Sequence, residues 1–269
     1  MKKLILLLFI PLVFACSDDE SSDNNNSSTK KLASVVTLYP CSGCERDNSY
    51  LSYSNDILTL VDYDYFVTEL NGDIEEEYNQ SGYYLIQHLS NSIRITDDDG
   101  DINDVPVNSD GTADSENMVF DNGYLISQFG EDKEFEGNTS SFTENWEWDN
   151  GNLIRREYYS YYNGSVDHSS IAYIEYTEYD DLTEKIGRSI GNGFLGNSES
   201  ILGSILGFYG KSSTKLPYRF TISFSDESTS VLTYSYVFDE DGYPIEVVEN
   251  DESSDGFSRT TRYELTYTN

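Results

Sequence analysis

Two Asn-Gly dipeptides, Asn150-Gly151 and Asn163-Gly164, constrain this chain more than any other feature. A two-residue type I′ turn needs positive φ at both centres. Asn and Gly adopt it at little cost, and its twist matches the flanking strands. Each such turn fixes the register of the strands it joins. Residues 142–176 therefore read as three antiparallel strands with cross-strand rows Trp148–Leu153–Ile174, Trp146–Arg155–Ala172 and Phe142–Tyr159–His168. The two turns, placed independently, give one coherent face. Arg155 over Trp146 is expected to add a cation–π contact.

The same reading extends along the chain. Asn122-Gly123 sets Phe120 opposite Leu125, and Asp241-Gly242 sets Tyr236 opposite Val247 and Phe238 opposite Ile245. Tyr218, Phe220, Ile222 and Phe224 alternate with polar residues, as do Tyr263, Leu265 and Tyr267. Strict period two means one buried face and one wet face. The expected fold is all-β: an antiparallel meander forming a curved sheet or a barrel. A Gly-rich, aliphatic insertion from Asp181 to Lys215 interrupts it. Residues 198–209 are expected to form a short helix, with Ile201 and Ile205 on one face and Gly210 as its stop. The insertion is expected to plug or cap a barrel end, or to cover an open sheet edge.

Residues 1–15 read as a signal peptide: Lys2 and Lys3 precede an apolar run from Leu4 to Phe14 that is too short to span a bilayer. Val13-Phe14-Ala15-Cys16 resembles a bacterial lipobox, which implies lipid attachment at Cys16 and membrane partnership through it. Ser17-Asp18-Asp19-Glu20 resembles the acid-rich export signal of Bacteroidota surface lipoproteins. The expectation is an outer-membrane lipoprotein facing the cell surface, with a periplasm-facing one as the alternative. Residues 16–31 form a polar, acidic tether, and 32–269 a single β domain. Lys+Arg number 16 against 49 Asp+Glu, a net charge of −33. Such a surface repels nucleic acid and anionic lipid.

Cys41 and Cys44 are the thiols left once Cys16 is lipidated, and a short-loop disulfide is the first reading in an oxidising compartment. A redox centre and a metal pair are the alternatives, although no strand-then-helix pattern surrounds them and only His88 and His168 supply imidazole. Asp97, Asp99, Asp101 and Asp104 are candidate calcium ligands, because hard cations take oxygen donors. The EF-hand pattern fails there, with Ile102 at the glycine position, and an acidic hairpin turn is the competing reading. No other cofactor is expected. Asp167-His168-Ser169 are neighbours on a strand, so their side chains alternate faces and form no triad. Trp146, Trp148, Arg155 and Tyr159 are the candidate binding residues for a glycan, an apolar ligand or a protein partner.

A unit recurs: aromatic, Asp, turn residues, Gly, any residue, then two apolar residues. Its copies are Phe120-Asp-Asn-Gly-Tyr-Leu125-Ile126, Trp148-Asp-Asn-Gly-Asn-Leu153-Ile154 and Phe238-Asp-Glu-Asp-Gly-Tyr-Pro244-Ile245. The unit resembles the tyrosine-aspartate hairpin repeats of large bacterial surface proteins. Taken with Cys16, with Tyr176-Thr-Glu-Tyr179-Asp180-Asp181, and with the return at Gly210-Lys-Ser-Ser-Thr-Lys-Leu216-Pro217, the chain resembles a family of Bacteroidota lipoproteins with a porin-like β fold. The resemblance covers about residues 90 to 269 and implies a curved meander, but no established activity. The expected function is a non-enzymatic binding or structural module. A carboxylate-dependent glycan hydrolase and a transmembrane β-barrel are the alternatives.

Overall fold

The computed structural model describes residues 30–39, 46–55, 57–71, 74–135, 138–182 and 206–268. Cys16, the tether as far as residue 29, Cys41, Cys44 and the expected helix as far as residue 205 lie outside them, and Lys31, expected in the tether, already belongs to the first strand. Residues 206–209 form turns, not helix. The described residues form fifteen strands: β1 (Lys31–Leu38), β2 (Arg46–Ser54), β3 (Ile57–Asn71), β4 (Ile74–His88), β5 (Ser92–Asp97), β6 (Ile102–Pro106), β7 (Met118–Asp121), β8 (Tyr124–Phe135), β9 (Asn138–Asp149), β10 (Asn152–Tyr162), β11 (Ser165–Asp180), β12 (Lys215–Phe224), β13 (Thr229–Phe238), β14 (Pro244–Ser253) and β15 (Ser258–Thr268). The Asn-Gly turns behave as expected, with φ of 48° at Asn150 and 78° at Gly151, and 49° at Asn163 and 75° at Gly164.

One 15-stranded sheet runs in the order β6-β5-β4-β3-β2-β1-β15-β14-β13-β12-β11-β10-β9-β8-β7. Every chain-consecutive pair is hydrogen-bonded except β6 with β7, and β1 pairs with β15. The sheet is a meander ring opened at one seam. Parity puts a mismatch there. All the pairings are antiparallel, so directions alternate through fifteen positions and the two end strands, β6 and β7, run the same way. No hairpin can join parallel neighbours. Residues 107–117 make the crossing instead. Val107 bridges Ala113, and Asp114 N donates to Pro106 O at 2.8 Å, so the chain doubles back beside β6 before β7 begins.

That connection also forces the sheet to curl. Flat, fifteen strands spaced about 4.8 Å apart would hold β6 and β7 roughly 65 Å apart. The eleven residues between Pro106 and Met118 span at most about 40 Å. A core of Val35, Leu51, Val61, Ile86, Leu216, Val247, Tyr263 and Leu265 fills the inside of the curve.

Bulges supply the bend. A residue is inserted at Ala33, Thr59, Ile126, Ile154, Tyr218 and Ile245, each near the start of its strand and each at the end of the sheet where β1 begins. A bulge strengthens local twist and disturbs the ladder beside it. In all six cases the carbonyl just before the inserted residue accepts a hydrogen bond from a ring on the following strand. Trp148 Nε1 donates to Leu125 O at 2.8 Å, Tyr176 Oη to Leu153 O at 2.7 Å and Tyr267 Oη to Pro244 O at 2.7 Å. Tyr53 Oη donates to Leu32 O at 2.9 Å, Tyr236 Oη to Pro217 O, and His88 Nε2 lies 3.2 Å from Leu58 O.

The bulges also correct the expected register. Ile154 is the extra residue after the Asn150-Gly151 turn, so Trp148 faces Leu153 as expected but Trp146 faces Arg156, not Arg155. Phe142 faces Ser160, which faces His168, and Tyr159 faces Thr143 and Ser169 on the other surface. Ile245 has the same effect: Tyr236 faces Val247 as expected, and Phe238 faces Pro244.

The described return of the insertion straps the same end of the sheet. Lys211 N donates to Gly123 O at 2.7 Å and Thr214 N to Gly151 O at 3.1 Å, so the strap lies on two hairpin tips. Gly210 has φ of 74°, and a Cβ there would stand 2.3 Å from Gly123 O, so no other residue fits without displacing the strap.

Burial pushes the Tyr53 phenol up to about 12 and raises those of Tyr176, Tyr236 and Tyr267 as well. The neutral phenol is the folded form. Its contribution is complete below the ordinary tyrosine value and is lost as pH rises through the folded one. Phenolate absorbance and circular dichroism followed together from about pH 8 to about pH 12 should show these tyrosines ionising only as the fold is lost. Tyr267→Phe, which orphans the Pro244 carbonyl, should cost about 1–2 kcal/mol in denaturant melts.

Candidate functional site

The inner wall of β9 to β12 carries the chemistry that sequence pointed to. Near the strap it is packed. The Trp148 ring lies against Tyr124, with centroids 4.7 Å apart, and its Nε1 is bonded to Leu125 O. Trp146 packs on the cluster of Leu153, Ile174 and Phe220. Tyr176 Oη bridges Leu153 O and Ser213 Oγ, the latter at 2.8 Å.

Toward the opposite end the wall becomes polar. Glu144 is buried, and Arg156 Nε donates to its Oε1 at 2.6 Å, with a second contact from Nη2. The pair sits where the ladder places it: Arg156 opposite Trp146 and Ala172, and Glu144 opposite Tyr158. Beyond it the Phe142 and Tyr158 rings stack with centroids 6.1 Å apart, and His168 lies 5.7 Å from Phe224 rather than on Tyr159. All four rings are half-buried. This arrangement offers a cation–carboxylate pair at the base of an aromatic wall.

The four expected binding residues do not form one constellation. Trp146 and Trp148 face inward. Arg155 and Tyr159 face outward, where Arg155 reaches Glu147 and Glu157 and stands 5.9 Å over the Tyr173 ring. The cation on the inner face is Arg156, which sequence reasoning missed by one residue. The signal was present in the repeat: two adjacent apolar residues, Leu153-Ile154, mark the inserted position.

The acidic run forms the β5–β6 hairpin. Asp97 Oδ1 accepts Asp101 N at 2.8 Å, closing the turn, and Arg94 holds Asp104 with two bonds of 2.7 Å on the strands beside it. The guanidinium keeps the Asp104 carboxyl below the ordinary range. Asp97, Asp99, Asp101 and Asp104 are thus not gathered around one point, and among the described residues no three His, Cys, Asp or Glu side chains converge. The inner carboxylates bond to other groups: Glu144 to Arg156, Asp251 to Ser230 Oγ at 2.6 Å, and Glu249 to Tyr234, whose phenol is raised first by burial and then by that charge.

No protein-family model matches the chain, and no curated protein matches it in sequence. Among solved structures it is similar to a porin-like protein from Bacteroides uniformis, at 14% identity over 87% of this chain and 96% of that one, with a TM-score of 0.52. It is also similar to a porin-like protein from Bacteroides vulgatus, at 14% identity over 89% of this chain and 99% of that one, with a TM-score of 0.46. The likeness to the first is one of fold, a curled antiparallel meander.

Removing Arg156 leaves Glu144 buried without its cation, which should cost on the order of 3 kcal/mol. Arg155, half-buried on the outer face between Glu147 and Glu157, should cost less than about 1 kcal/mol when removed. Urea melts of Arg156→Ala and Arg155→Ala check this, and the reverse order would contradict the register.

Proposed function

We propose that this protein is a lipid-anchored envelope module whose curled sheet works in water as a binding scaffold. The observation that carries the reading is the chemistry of the outer face. Mid-strand, Arg262 pairs with Glu246 at 2.6 Å and Glu264 at 3.6 Å, Arg219 stands 4.0 Å from Glu175, and Arg155 lies between Glu147 and Glu157. In water such exposed pairs are nearly neutral. Facing lipid at mid-depth, each arginine would cost about 2–4 kcal/mol. A barrel that crosses a bilayer needs an apolar outer band, and these strands carry ions there. Attachment then falls to Cys16, and ligand contact to the inner wall around Phe142, Tyr158, His168 and the Arg156–Glu144 pair. The chemistry there suits a glycan or a small amphipathic ligand: rings for stacking and a charged pair for hydroxyl groups.

Expressed at full length in a Gram-negative host, the protein should incorporate labelled palmitate and sediment with membranes. Cys16→Ala should lose the label and appear in the soluble fraction without detergent. Retention of Cys16→Ala in membranes, released only by detergent, would replace this reading with a strand-embedded barrel. Protease added to intact cells should digest the wild-type protein if it faces outward.

A further inference from the structure

We infer that the seam is open in the half away from the entry end, where β1 begins, and that a neutral, flat glycan chain lies across this opening, stacked on Tyr63 and Tyr84 at one margin and on Phe142 and Tyr158 at the other. The inference deepens the proposed binding scaffold and rests on its inner wall being the ligand site.

The opening follows from strand lengths. β4 has fifteen residues, yet β5 pairs only with Tyr84 to His88. β8 has twelve, yet β7 pairs only with Tyr124 to Gln128, and Phe129 N donates to Asn117 O just beyond. Among the described residues no strand adjoins the rest of β4 or of β8 on that side. β5, β6 and β7 therefore wall the entry half of the seam and leave the other half without a wall.

The two margins are built alike. Gly82 lies two residues from Tyr84, and Gly130 two from Gln128, where pairing with β5 and β7 stops. Every other described glycine has positive φ, so these two are the ones the backbone does not ask for. What needs the room is a ring. A Cβ on Gly82 would collide with the Tyr63 ring, and one on Gly130 with the Phe142 ring. Tyr63 and Phe142 are the direct partners of these glycines on β3 and β9, so each ring leans over the margin strand towards the gap. Both face inward: Tyr63 follows the buried Val61 by two residues, and Tyr84 is the partner of Val61. Each ring has a second beside it, Tyr84 at 5.3 Å from Tyr63 and Tyr158 at 6.1 Å from Phe142. Each pair also has a carboxylate. Asp98 Oδ1 stands 2.9 Å from the Cβ position of Gly82, and Glu144, held by Arg156, is two residues from Phe142. Burial first and the Asp98 charge second raise the Tyr63 phenol.

A ring laid over a strand glycine also shields the backbone. Two rings would do that, and four half-buried ones gather where the wall is missing. Rings take the apolar face of a sugar whose hydroxyls are equatorial, and carboxylates accept from those hydroxyls. A chain of net charge −33 with Asp98 at the margin repels uronates. The occupant is therefore a neutral β-1,4-linked chain, several sugars long because three strands separate the margins in the entry half.

The probe is cellohexaose, titrated calorimetrically into the full-length protein in a polyoxyethylene detergent, which carries no sugar. Cellohexaose should bind, and hexagalacturonate should not. Gly82→Ala and Gly130→Ala push a ring aside without deleting it, and each should weaken cellohexaose about tenfold in protein that circular dichroism shows to be folded. Tyr84→Ala and Tyr158→Ala test the same margins should either alanine prevent folding. Glycines that serve the fold alone would change the melting temperature and leave binding as it was. Weaker binding in Tyr158→Ala with no change in Gly82→Ala or Tyr84→Ala overturns this inference and leaves the inner wall as the ligand site. Equal binding of hexagalacturonate overturns the neutral chain, and no binding of cellohexaose at millimolar concentration overturns the glycan reading of the wall as well.

Discussion

Each strand that starts at the entry end, β5 excepted, carries an extra residue, and each extra residue leaves a carbonyl that the regular ladder does not serve. A buried carbonyl without a donor is costly. The chain answers each with a ring that has a polar atom, placed near the end of the following strand: Tyr53, His88, Trp148, Tyr176, Tyr236 and Tyr267. These bonds allow the bulges, and the bulges give the sheet its curl. Without the curl, the short crossing from β6 to β7 could not be made. Four of the 23 tyrosines thus meet a hydrogen-bonding requirement at one rim.

The same bulges decide which side chains face which way, and so decide the chemistry of both surfaces. Past Ile154 the alternation changes phase, sending Arg156 and Tyr158 inward and Arg155 and Tyr159 outward. The inner wall acquires one guarded ion pair among rings. The outer wall acquires arginine–glutamate pairs at Arg155, Arg219 and Arg262.

Much of the architecture was legible in the sequence, for reasons that can be named. Asn150-Gly151 and Asn163-Gly164 dictated hairpins because few other pairs hold positive φ twice. Alternation in residues such as Tyr263 and Leu265 reported a one-sided core. The register beyond the first pairs was not legible from alternation, since a bulge leaves period two intact on either side of it and shifts only the phase. The seam was hidden as well: only the strand order, with β1 paired to β15, shows that the ring opens between β6 and β7. The inner ion pair was missed because the phase error put Arg155 in place of Arg156. The described part of the insertion lies on two hairpin tips, and residues 206–209 are turns because Gly207 and Gly210 adopt positive φ there.

The position of the seam bears on how the molecule is assembled in time. Most ladders join neighbours in the chain, and such contacts form early because little loop entropy must be lost. The β1–β15 ladder is the exception: it joins residues as far apart as Lys31 and Thr268. Two meanders, β1 to β6 and β7 to β15, can each form locally, and the sheet is completed when β1 meets β15 near its middle. The slow, topologically demanding step therefore coincides with the arrival of the last strand. A chain that emerges amino end first cannot complete this sheet until β15 has emerged.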